Sequence, residues 1–188
     1  MRNRRPVSRR HYDDGADMWE MVAAPPAPAL GGLVGHYTSY RERTTSFSAR
    51  RELAATSGVL IYALDAPLAI TGADGVEIVL REGEAFVGGI ADATSISRAL
   101  GPQRGVHIHL PLHALAGVCG MPLAELANRV APLADLAGRS ARVLGERLVT
   151  ASDPQDQFDL VDDFPDSTAG QYGDTGSCSV VGDGAVVG

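Results

Sequence analysis

The sequence contains no lysine, so all 16 of its basic residues are arginine, against 23 Asp and Glu residues. The resulting net charge of −7 excludes broad electrostatic attraction to nucleic acid or to an anionic membrane surface. The shortage of positive charge is uneven along the chain. Residues 1–147 carry 16 Arg and 15 acidic residues, a balance of +1, whereas residues 148–188 contain eight Asp and no basic residue. The acidity therefore belongs to the C-terminal segment.

Cysteines and long apolar runs are also scarce. Cys119 and Cys178 are the two cysteines, and they lie too far apart for a Cys-x-x-Cys motif. This usage excludes a disulfide framework and is typical of a reducing compartment. No apolar run approaches the roughly 18 residues that cross a bilayer, and no apolar stretch follows the arginine-rich start, so a signal peptide is not indicated. We therefore expect a cytoplasmic protein with no membrane partner.

The first two regions of the chain differ in their apolar patterning. Residues 1–17 are charged and without periodicity, which predicts a disordered arm or sequence upstream of a true start at Met18. Residues 18–112 contain short apolar segments spaced near ten residues apart, which is typical of a β-rich module. The sequence Ala-Asp-Gly at 73–75 separates two of these segments and favours a tight hairpin turn. Short strands at regular spacing predict a sandwich or a small barrel.

Residues 113–164 have the apolar spacing of helices and form a third region. Asp153 and Pro154 are typical of an N-cap followed by the first residue of a helix. The apolar stripe of that helix is Phe158, Val161 and Phe164. The expected helices cover residues 122–130, 132–138, 140–150 and 154–164. A β-module followed by a group of short helices predicts an α+β fold.

Residues 165–188 have six glycines, no arginine, no leucine and no helical or strand period of useful length. One interpretation is a disordered acidic tail. The other is a segment translated out of frame beyond about Phe164, with a following domain lost. Exclusive arginine usage and 27 alanines are typical of a GC-rich gene, in which wrong frames stay open longer, so we favour the second interpretation.

The most suggestive cluster for chemistry is formed by His107, His109 and His113. On a strand, the first two side chains point the same way, so two imidazoles could approach one metal ion. Gly101 stands six residues before His107, which imitates the opening of the cupin metal motif. Position 113 is a histidine, where the cupin metal motif has a glutamate. The second half of that motif, which contains a later histidine, is absent from the sequence. Two polar residues on the outer or pocket face of a strand are therefore the favoured interpretation, and three-histidine metal binding is the alternative.

The remaining sequence gives no sign of catalysis. No Gly-x-Ser-x-Gly elbow, phosphate loop or catalytic carboxylate pair is present in the sequence. We therefore expect a protein that is not an enzyme and that needs no cofactor.

Several segments together resemble the N-terminal sensor region of AraC/XylS-type transcriptional regulators. The resemblance covers roughly residues 18–164 and is strongest for a subgroup with a Gly-x-Pro-x-x-x-Leu helix, which begins here at Gly120. The order and continuity of the segments carry the resemblance, since each motif alone is loose. The segments are APPAPALGGLVGHYTSYRERT, GVLIYALDAPLAI, GEAFVGG, GVHIHLPLHALAGVCGMPLAELANRVAPLADLAG and LGERLVTASDPQDQF.

The resemblance implies a cupin-like or jelly-roll-like β-module over 18–112 and a helical linker and dimerisation segment over 113–164. It implies a small-molecule effector of unknown identity and a homodimer. The candidate ligand-binding residues are His107, His109, Tyr37 and Tyr62.

Regulators of this type end in two helix-turn-helix units that read DNA, and the acidic segment after Phe164 matches no such unit. The resemblance therefore implies a sensor that has lost its DNA-binding domain and would contact DNA only through it. A free-standing cupin-type metal-binding protein or enzyme, held together by the three histidines, is the alternative.

Overall fold

The computed structural model describes residues 4–46, 49–52 and 56–164. Within these ranges the chain forms eleven β-strands, two short 3-10 turns and three α-helices, and none of these helices is long and apolar enough to span a membrane. The strands are β1 (Ser8–Asp13), β2 (Met18–Ala24), β3 (His36–Arg43), β4 (Ala49–Glu52), β5 (Gly58–Ala63), β6 (Leu68–Thr71), β7 (Glu77–Leu80), β8 (Ala85–Gly88), β9 (Ser95–Ala99), β10 (Gln103–Leu110) and β11 (Val130–Pro132). The helices are α1 (Leu112–Cys119), α2 (Leu133–Thr150) and α3 (Pro154–Asp162).

The strands form two antiparallel sheets. The larger sheet has the strand order β1-β2-β3-β10-β5-β8-β11, and the smaller has the order β4-β9-β6-β7. From β3 to β10 the chain passes back and forth between the two sheets, which is the connectivity of a jelly roll. The central strand β10 pairs with β3 on one side and with β5 on the other. This β-module, followed by helices, confirms the predicted α+β fold with a cupin-like, jelly-roll-like module.

The hairpin between β6 and β7 has the turn that the sequence predicts. Thr71 pairs with Glu77 at the end of the ladder. Gly75 has φ +81°, a left-handed conformation that glycine adopts without steric cost. The Asp74 carboxylate accepts a hydrogen bond of 3.1 Å from the backbone N–H of Val76. An aspartate and a glycine thus fix the direction in which the chain reverses.

Alternation along β10 divides the interior of the protein into two parts. Val106, Ile108 and Leu110 pack into a core that the three helices cover. His107 and His109 point the opposite way, toward the smaller sheet. The helical side of this core includes the buried residues Leu115, Leu133, Leu144, Leu148 and Phe158. The large sheet therefore has one apolar face under the helices and one face that looks into the sandwich.

Helix α3 begins as the sequence predicts. The Asp153 carboxylate accepts a hydrogen bond of 2.8 Å from the backbone N–H of Gln155, and Pro154 is the first helical residue. The apolar stripe is buried in the core and consists of Phe158, Val161 and Phe164. The cap and the stripe agree, so this helix could be predicted both in position and in orientation.

The break predicted between the helices over 132–138 and 140–150 is confirmed at Gly138. Helix α2 consists of two helical segments on either side of this residue, whose φ of +56° and ψ of −128° are not helical. Glycine accepts this conformation readily, so the predicted break is present as a kink.

The helix expected over 122–130 is wrong. Only a 3-10 turn forms, at Leu123–Leu126, and Val130–Pro132 becomes strand β11 at the edge of the large sheet. Asn128 has φ +62°, which ends the turn, and its backbone N–H donates to the Ile90 carbonyl at 2.9 Å. The free edge of β8 offers hydrogen bonds that outweigh a weak local helix preference. The 113–164 region is therefore not purely helical.

The expectation of disorder is also wrong for part of the N-terminal arm. Residues 8–13 form β1, which pairs with β2 along its whole length, from Ser8 opposite Ala23 to Asp13 opposite Met18. All six residues of β1 are exposed, so the strand has no apolar alternation that the sequence could show. The predictions for residues 165–188 lie outside the described residues.

Candidate functional site

A cavity of about 350 Å³ lies between the two sheets. The large sheet contributes lining residues from β3, β5, β8 and β10, and the small sheet contributes them from β4, β6 and β9. Met21, Glu52 and Arg129 line the cavity and are exposed, so the cavity communicates with solvent. Its volume lies within the range of small-molecule sites.

Polar aromatic side chains form a row along the large-sheet wall of this cavity. The Tyr40 and His107 rings meet edge to face with their centroids 4.8 Å apart, and His107 lies 6.1 Å from His109. His36 stacks on His109 with a centroid distance of 3.9 Å. Side chains at alternate positions of β10 and from the neighbouring β3 thus meet on one face of the sheet. We call Tyr40, His107 and His109 the polar row.

Burial keeps the two imidazoles of the polar row neutral. Desolvation, with repulsion between neighbouring rings as a smaller cause, lowers the pKa of His107 to about 3 and that of His109 to about 4. The His107 ring lies deep in the protein and retains some accessible surface, because it borders the cavity. A neutral imidazole offers one hydrogen-bond donor and one acceptor. Neither imidazole has a hydrogen-bond partner among the described residues.

Acid is expected to destabilise the protein through His107. The unfolded chain takes up a proton near pH 6.5, whereas the folded protein takes it up only near pH 3, so stability falls as the pH drops below 6.5. Between pH 7 and pH 5 this residue accounts for a loss of about 2 kcal/mol. His107→Phe keeps a flat ring and cannot be protonated. The stability that the variant loses between pH 7 and pH 5, measured by urea unfolding, should therefore be smaller by about 2 kcal/mol. An unchanged pH dependence in the variant would contradict a neutral His107.

The Tyr40 ring lies across the backbone of β10. A Cβ atom at Gly105 would stand 2.5 Å from the Tyr40 ring and 2.6 Å from its hydroxyl, so the ring fits only over a glycine. The Tyr40 hydroxyl has no hydrogen-bond partner within the described part of the chain. Desolvation by burial, with the nearby Glu42 charge adding to it, raises the pKa of Tyr40, so the phenol is protonated. A hydroxyl group without a hydrogen-bond partner among the described residues therefore borders the cavity.

Removing the hydroxyl of Tyr40 is expected to leave stability unchanged, unlike the same change at Tyr62. The buried Tyr62 hydroxyl donates to the Ala141 carbonyl at 3.1 Å, so Tyr62→Phe breaks a bond and should cost about 1 kcal/mol. Tyr40→Phe breaks none and should change the free energy of unfolding by less than about 0.5 kcal/mol. Urea denaturation of both variants measures the difference, and equal losses would contradict an uncommitted Tyr40 hydroxyl.

The charged groups of the lining are compensated. The buried Glu42 carboxylate forms an ion pair of 2.6 Å with Arg50, and the Glu52 carboxylate accepts a hydrogen bond of 2.8 Å from the Ser97 hydroxyl. Arg129, at the rim, is 3.6 Å from Asp74. Among the described lining residues, Glu42 and Glu52 balance Arg50 and Arg129, so the formal charge of the wall is zero.

Gln103 is held rigidly at the start of β10. Its side-chain amide N–H groups donate to the carbonyls of Gly101 at 3.1 Å and Ala66 at 3.2 Å, with Pro67 at 3.4 Å. This fixes the orientation of the amide group. Its Oε1 atom is buried and is the one such side-chain polar atom without a partner within the described ranges. Gln103 is one of the residues that line the cavity.

The rest of the cavity wall combines apolar surface with a few polar residues, which are Thr44, Ser57, Ser95 and Asn128. The small sheet contributes the buried residues Leu68 and Ile70, and strand β8 contributes Phe86. Val59 and Ile61 extend this surface on β5 and pack against it. The cavity thus has the polar row along one part of the large sheet, apolar surface from β5, β6 and β8, and further polar groups from β4 and β9.

The structure separates the four candidate ligand-binding residues into two pairs. His107 and His109 line the cavity. Tyr37 and Tyr62 are fully buried in the helix-covered core on the opposite face, where Tyr37 donates to Asp162 at 2.8 Å. The assignment of the two tyrosines to a ligand site is therefore corrected: alternation along β3 and β5 turns them away from the cavity.

The three-histidine metal site is also corrected. His113 lies on α1, where its ring contacts the Gly32 carbonyl at 2.9 Å, and it does not line the cavity. His36 stacks face to face on His109 and so does not complete a set around a shared point. Within the described residues no group of three His, Cys, Asp or Glu side chains has the arrangement of a metal site. The side chains present do not fit the metal that the histidine pattern implies.

Sequence reasoning missed most of the polar lining. Gln103 shares strand parity with His107 and His109, so the alternation of β10 could have found it. Arg50 and Glu42 lie in the segment 41–51, whose four arginines are, from sequence alone, typical of a solvated loop. The pairing of β4 with β9 turns Arg50 inward, and no local signal predicts such a long-range contact.

Comparison with known proteins identifies no family. No family model matches the sequence, and no curated protein matches it. A predicted oxalate decarboxylase from Thermotoga maritima is 10% identical, with 56% of this chain and 94% of that chain covered and a TM-score of 0.41. The EutQ protein of Clostridium difficile is 15% identical, with 54% of this chain and 76% of that chain covered and a TM-score of 0.38. An HTH_3 family transcriptional regulator from Vibrio cholerae is 14% identical, with 49% of this chain and 50% of that chain covered and a TM-score of 0.38.

These similarities are too weak to transfer an activity, a ligand or a partner. The strand order and the sheet connectivity define a cupin-like, jelly-roll-like β-module followed by helices.

Proposed function

We propose that this chain is the ligand-sensing and dimerisation portion of a transcriptional regulator of the AraC/XylS type. The observation that carries the proposal is the cavity between the sheets, in which hydrogen-bonding groups without partners among the described residues lie beside apolar surface. Such a site is suited to binding a small molecule. The sequence resemblance supplies the class of regulator, and binding without catalysis is the activity that we assign.

The position of the helices supports a sensory role. None of the described residues of α1, α2 and α3 lines the cavity, and all three helices pack on the other face of the large sheet. Strand β10 contributes side chains both to the cavity and to the helix-covered core, since His107 faces the cavity while Val106 and Ile108 face the helices. A ligand that moves β10 therefore acts on the helical core across the thickness of one strand.

A thermal-shift screen with small metabolites tests ligand sensing. A ligand present at a hundred times its dissociation constant stabilises the folded state by about 2.7 kcal/mol. In a protein of this size that raises the melting temperature by several degrees. We expect at least one uncharged metabolite to produce such a shift. A broad panel with no stabilising member would contradict the sensory function.

Light scattering coupled to size-exclusion chromatography tests the homodimer. We expect a mass twice that of the chain, with the helical region forming the contact. A monomer at all concentrations would contradict the dimerisation role and leave ligand binding as a separate question.

Metal analysis of protein purified without a histidine tag separates this function from a cupin-type metalloprotein or enzyme. His107 and His109 favour that second candidate because both face the cavity. Since the third histidine lies elsewhere, we expect substoichiometric metal. One tightly bound transition metal per chain would overturn the sensory proposal in favour of the metalloprotein.

A further inference from the structure

The two sides of the cavity differ in chemistry, and this difference describes what fits between them. The polar row presents the Tyr40 hydroxyl and the imidazoles of His107 and His109, all without hydrogen-bond partners among the described residues. The opposite side presents aliphatic surface from Leu68 and Ile70 on β6, beside polar residues of β4 and β9. A ligand that fills this space therefore needs hydrogen-bonding atoms along one edge and an apolar body elsewhere, since unpaired buried polar groups are costly.

The lining disfavours a charged ligand. The lining arginines are Arg50, which already pairs with the Glu42 carboxylate at 2.6 Å, and the more exposed Arg129. An incoming carboxylate or phosphate would share the Arg50 guanidinium with Glu42, so one positive charge would face two negative charges. A cation meets the converse difficulty at Glu42, which Arg50 already neutralises, while the exposed Glu52 carboxylate is screened by solvent. The formally neutral wall and the neutral imidazoles leave a buried ion uncompensated.

The volume of the cavity limits the size of the ligand. A space of about 350 Å³ lies at the lower end of the range of small-molecule sites. A molecule with about a dozen non-hydrogen atoms, which corresponds to one small ring system with a substituent, suits a site of this size. The edge-to-face Tyr40 and His107 rings also offer aromatic surface to a flat ligand.

Resting on the proposed sensory function, we infer that the cavity binds an uncharged, flat molecule of about a dozen non-hydrogen atoms through hydrogen bonds to Tyr40 and His107. The Tyr40 hydroxyl and one imidazole nitrogen of His107 bind the polar edge. The apolar body of the ligand lies against the aliphatic side of the cavity.

Four naphthalene derivatives of nearly equal shape test this ligand class by calorimetric or fluorescence titration at pH 7.5. They are 2-naphthol, naphthalene, 2-naphthoate and 2-naphthylmethylammonium. We expect 2-naphthol to bind about tenfold tighter than naphthalene, since one net hydrogen bond corresponds to about that factor. We expect both ions to bind more weakly than naphthalene, because they carry an uncompensated charge into the cavity.

Two variants and a matched control locate the hydrogen bonds. Tyr40→Phe and His107→Phe each remove polar atoms and keep a flat ring, so each should reduce the preference for 2-naphthol over naphthalene toward one. Tyr62→Phe removes a hydroxyl from the other face of the same sheet and should leave the preference at about tenfold. Because the Tyr40 hydroxyl has no hydrogen-bond partner among the described residues, Tyr40→Phe is expected to fold normally and to give a clear result even if His107→Phe does not.

The outcomes distinguish a failure of the proposed ligand class from a failure of the sensory function on which it rests. Binding of 2-naphthoate or the ammonium probe more tightly than 2-naphthol would overturn the uncharged class and leave a sensory cavity intact. A preference for 2-naphthol that survives in Tyr40→Phe and His107→Phe would overturn the contacts that we assign. No binding by any of the four probes would also overturn the class, whereas the metabolite screen decides the sensory function independently.

Discussion

Replacing Gly145 with alanine is expected to destabilise the protein by about 3 kcal/mol, although alanine is the better helix former. Gly145 lies in α2, where its backbone packs on the turn between β7 and β8. A Cβ atom there would overlap the carbonyl oxygen of Gly83, which is backbone and cannot rotate away. The helix must therefore move off the turn, and overpacking of this kind costs 1–3 kcal/mol or more. That cost exceeds the gain of about 1 kcal/mol in helix propensity.

Gly117 provides the matched control in another helix. It lies in α1, and a Cβ atom at this position has no heavy atom within 4 Å. Gly117→Ala should therefore stabilise the protein by about 0.5–1 kcal/mol, because alanine lowers the conformational entropy of the unfolded chain. Urea denaturation of both variants should give changes of opposite sign. A neutral or stabilising Gly145→Ala would contradict the close approach of α2 to the β7–β8 turn.

Replacing Arg5 with alanine is expected to cost about 3 kcal/mol, because this residue fastens the N-terminal segment to α3. Its guanidinium pairs with Asp159 and with the buried Asp162, and it donates to the Pro25 carbonyl at 3.2 Å. It also lies 5.9 Å from the centroid of the Phe158 ring. Removing one partner of a largely buried ion pair leaves the other charge uncompensated, which costs 3–5 kcal/mol when burial is complete.

Arg4 and a lysine at position 5 serve as controls for this prediction. Arg4 pairs with Asp153, but its side chain is 77% exposed, so Arg4→Ala should change the free energy of unfolding by less than about 1 kcal/mol. Arg5→Lys keeps the charge but loses the planar fork and should give an intermediate loss. Equal effects of Arg4→Ala and Arg5→Ala would contradict the anchoring role of Arg5.

The β-module could be predicted because its signals are local. The turn at Asp74 and Gly75, and the cap at Asp153, depend on residues close together in sequence. β1 could not be predicted in this way, since its exposed side chains carry no alternation and only its backbone pairs with β2. β11 depends on the free edge of β8, a feature that exists only after the sheet has formed.

The candidate site was predictable only along one strand. The spacing of His107 and His109 indicates that both point to the same face, and the structure places both on the cavity. The sequence could not show which face of β3 and β5 is covered by helices, so it could not show that the candidate ligand-binding residues Tyr37 and Tyr62 lie in the helix-covered core. Arg50 reaches the cavity through the pairing of β4 with β9, more than forty positions apart in the chain, beyond any local pattern.

Calorimetric titration of a stabilising ligand into a protein with a filled cavity tests the central claim most directly. Ala99 lines the cavity from β9, so Ala99→Phe places a ring inside it. Ile96 lies on the outer face of the same strand and is exposed, so Ile96→Phe is the matched control. A ligand-binding cavity predicts that Ala99→Phe lowers affinity by at least about a hundredfold while Ile96→Phe binds as the parent does. Undiminished binding to a folded Ala99→Phe protein would contradict the claim that the cavity between the two sheets is the ligand site.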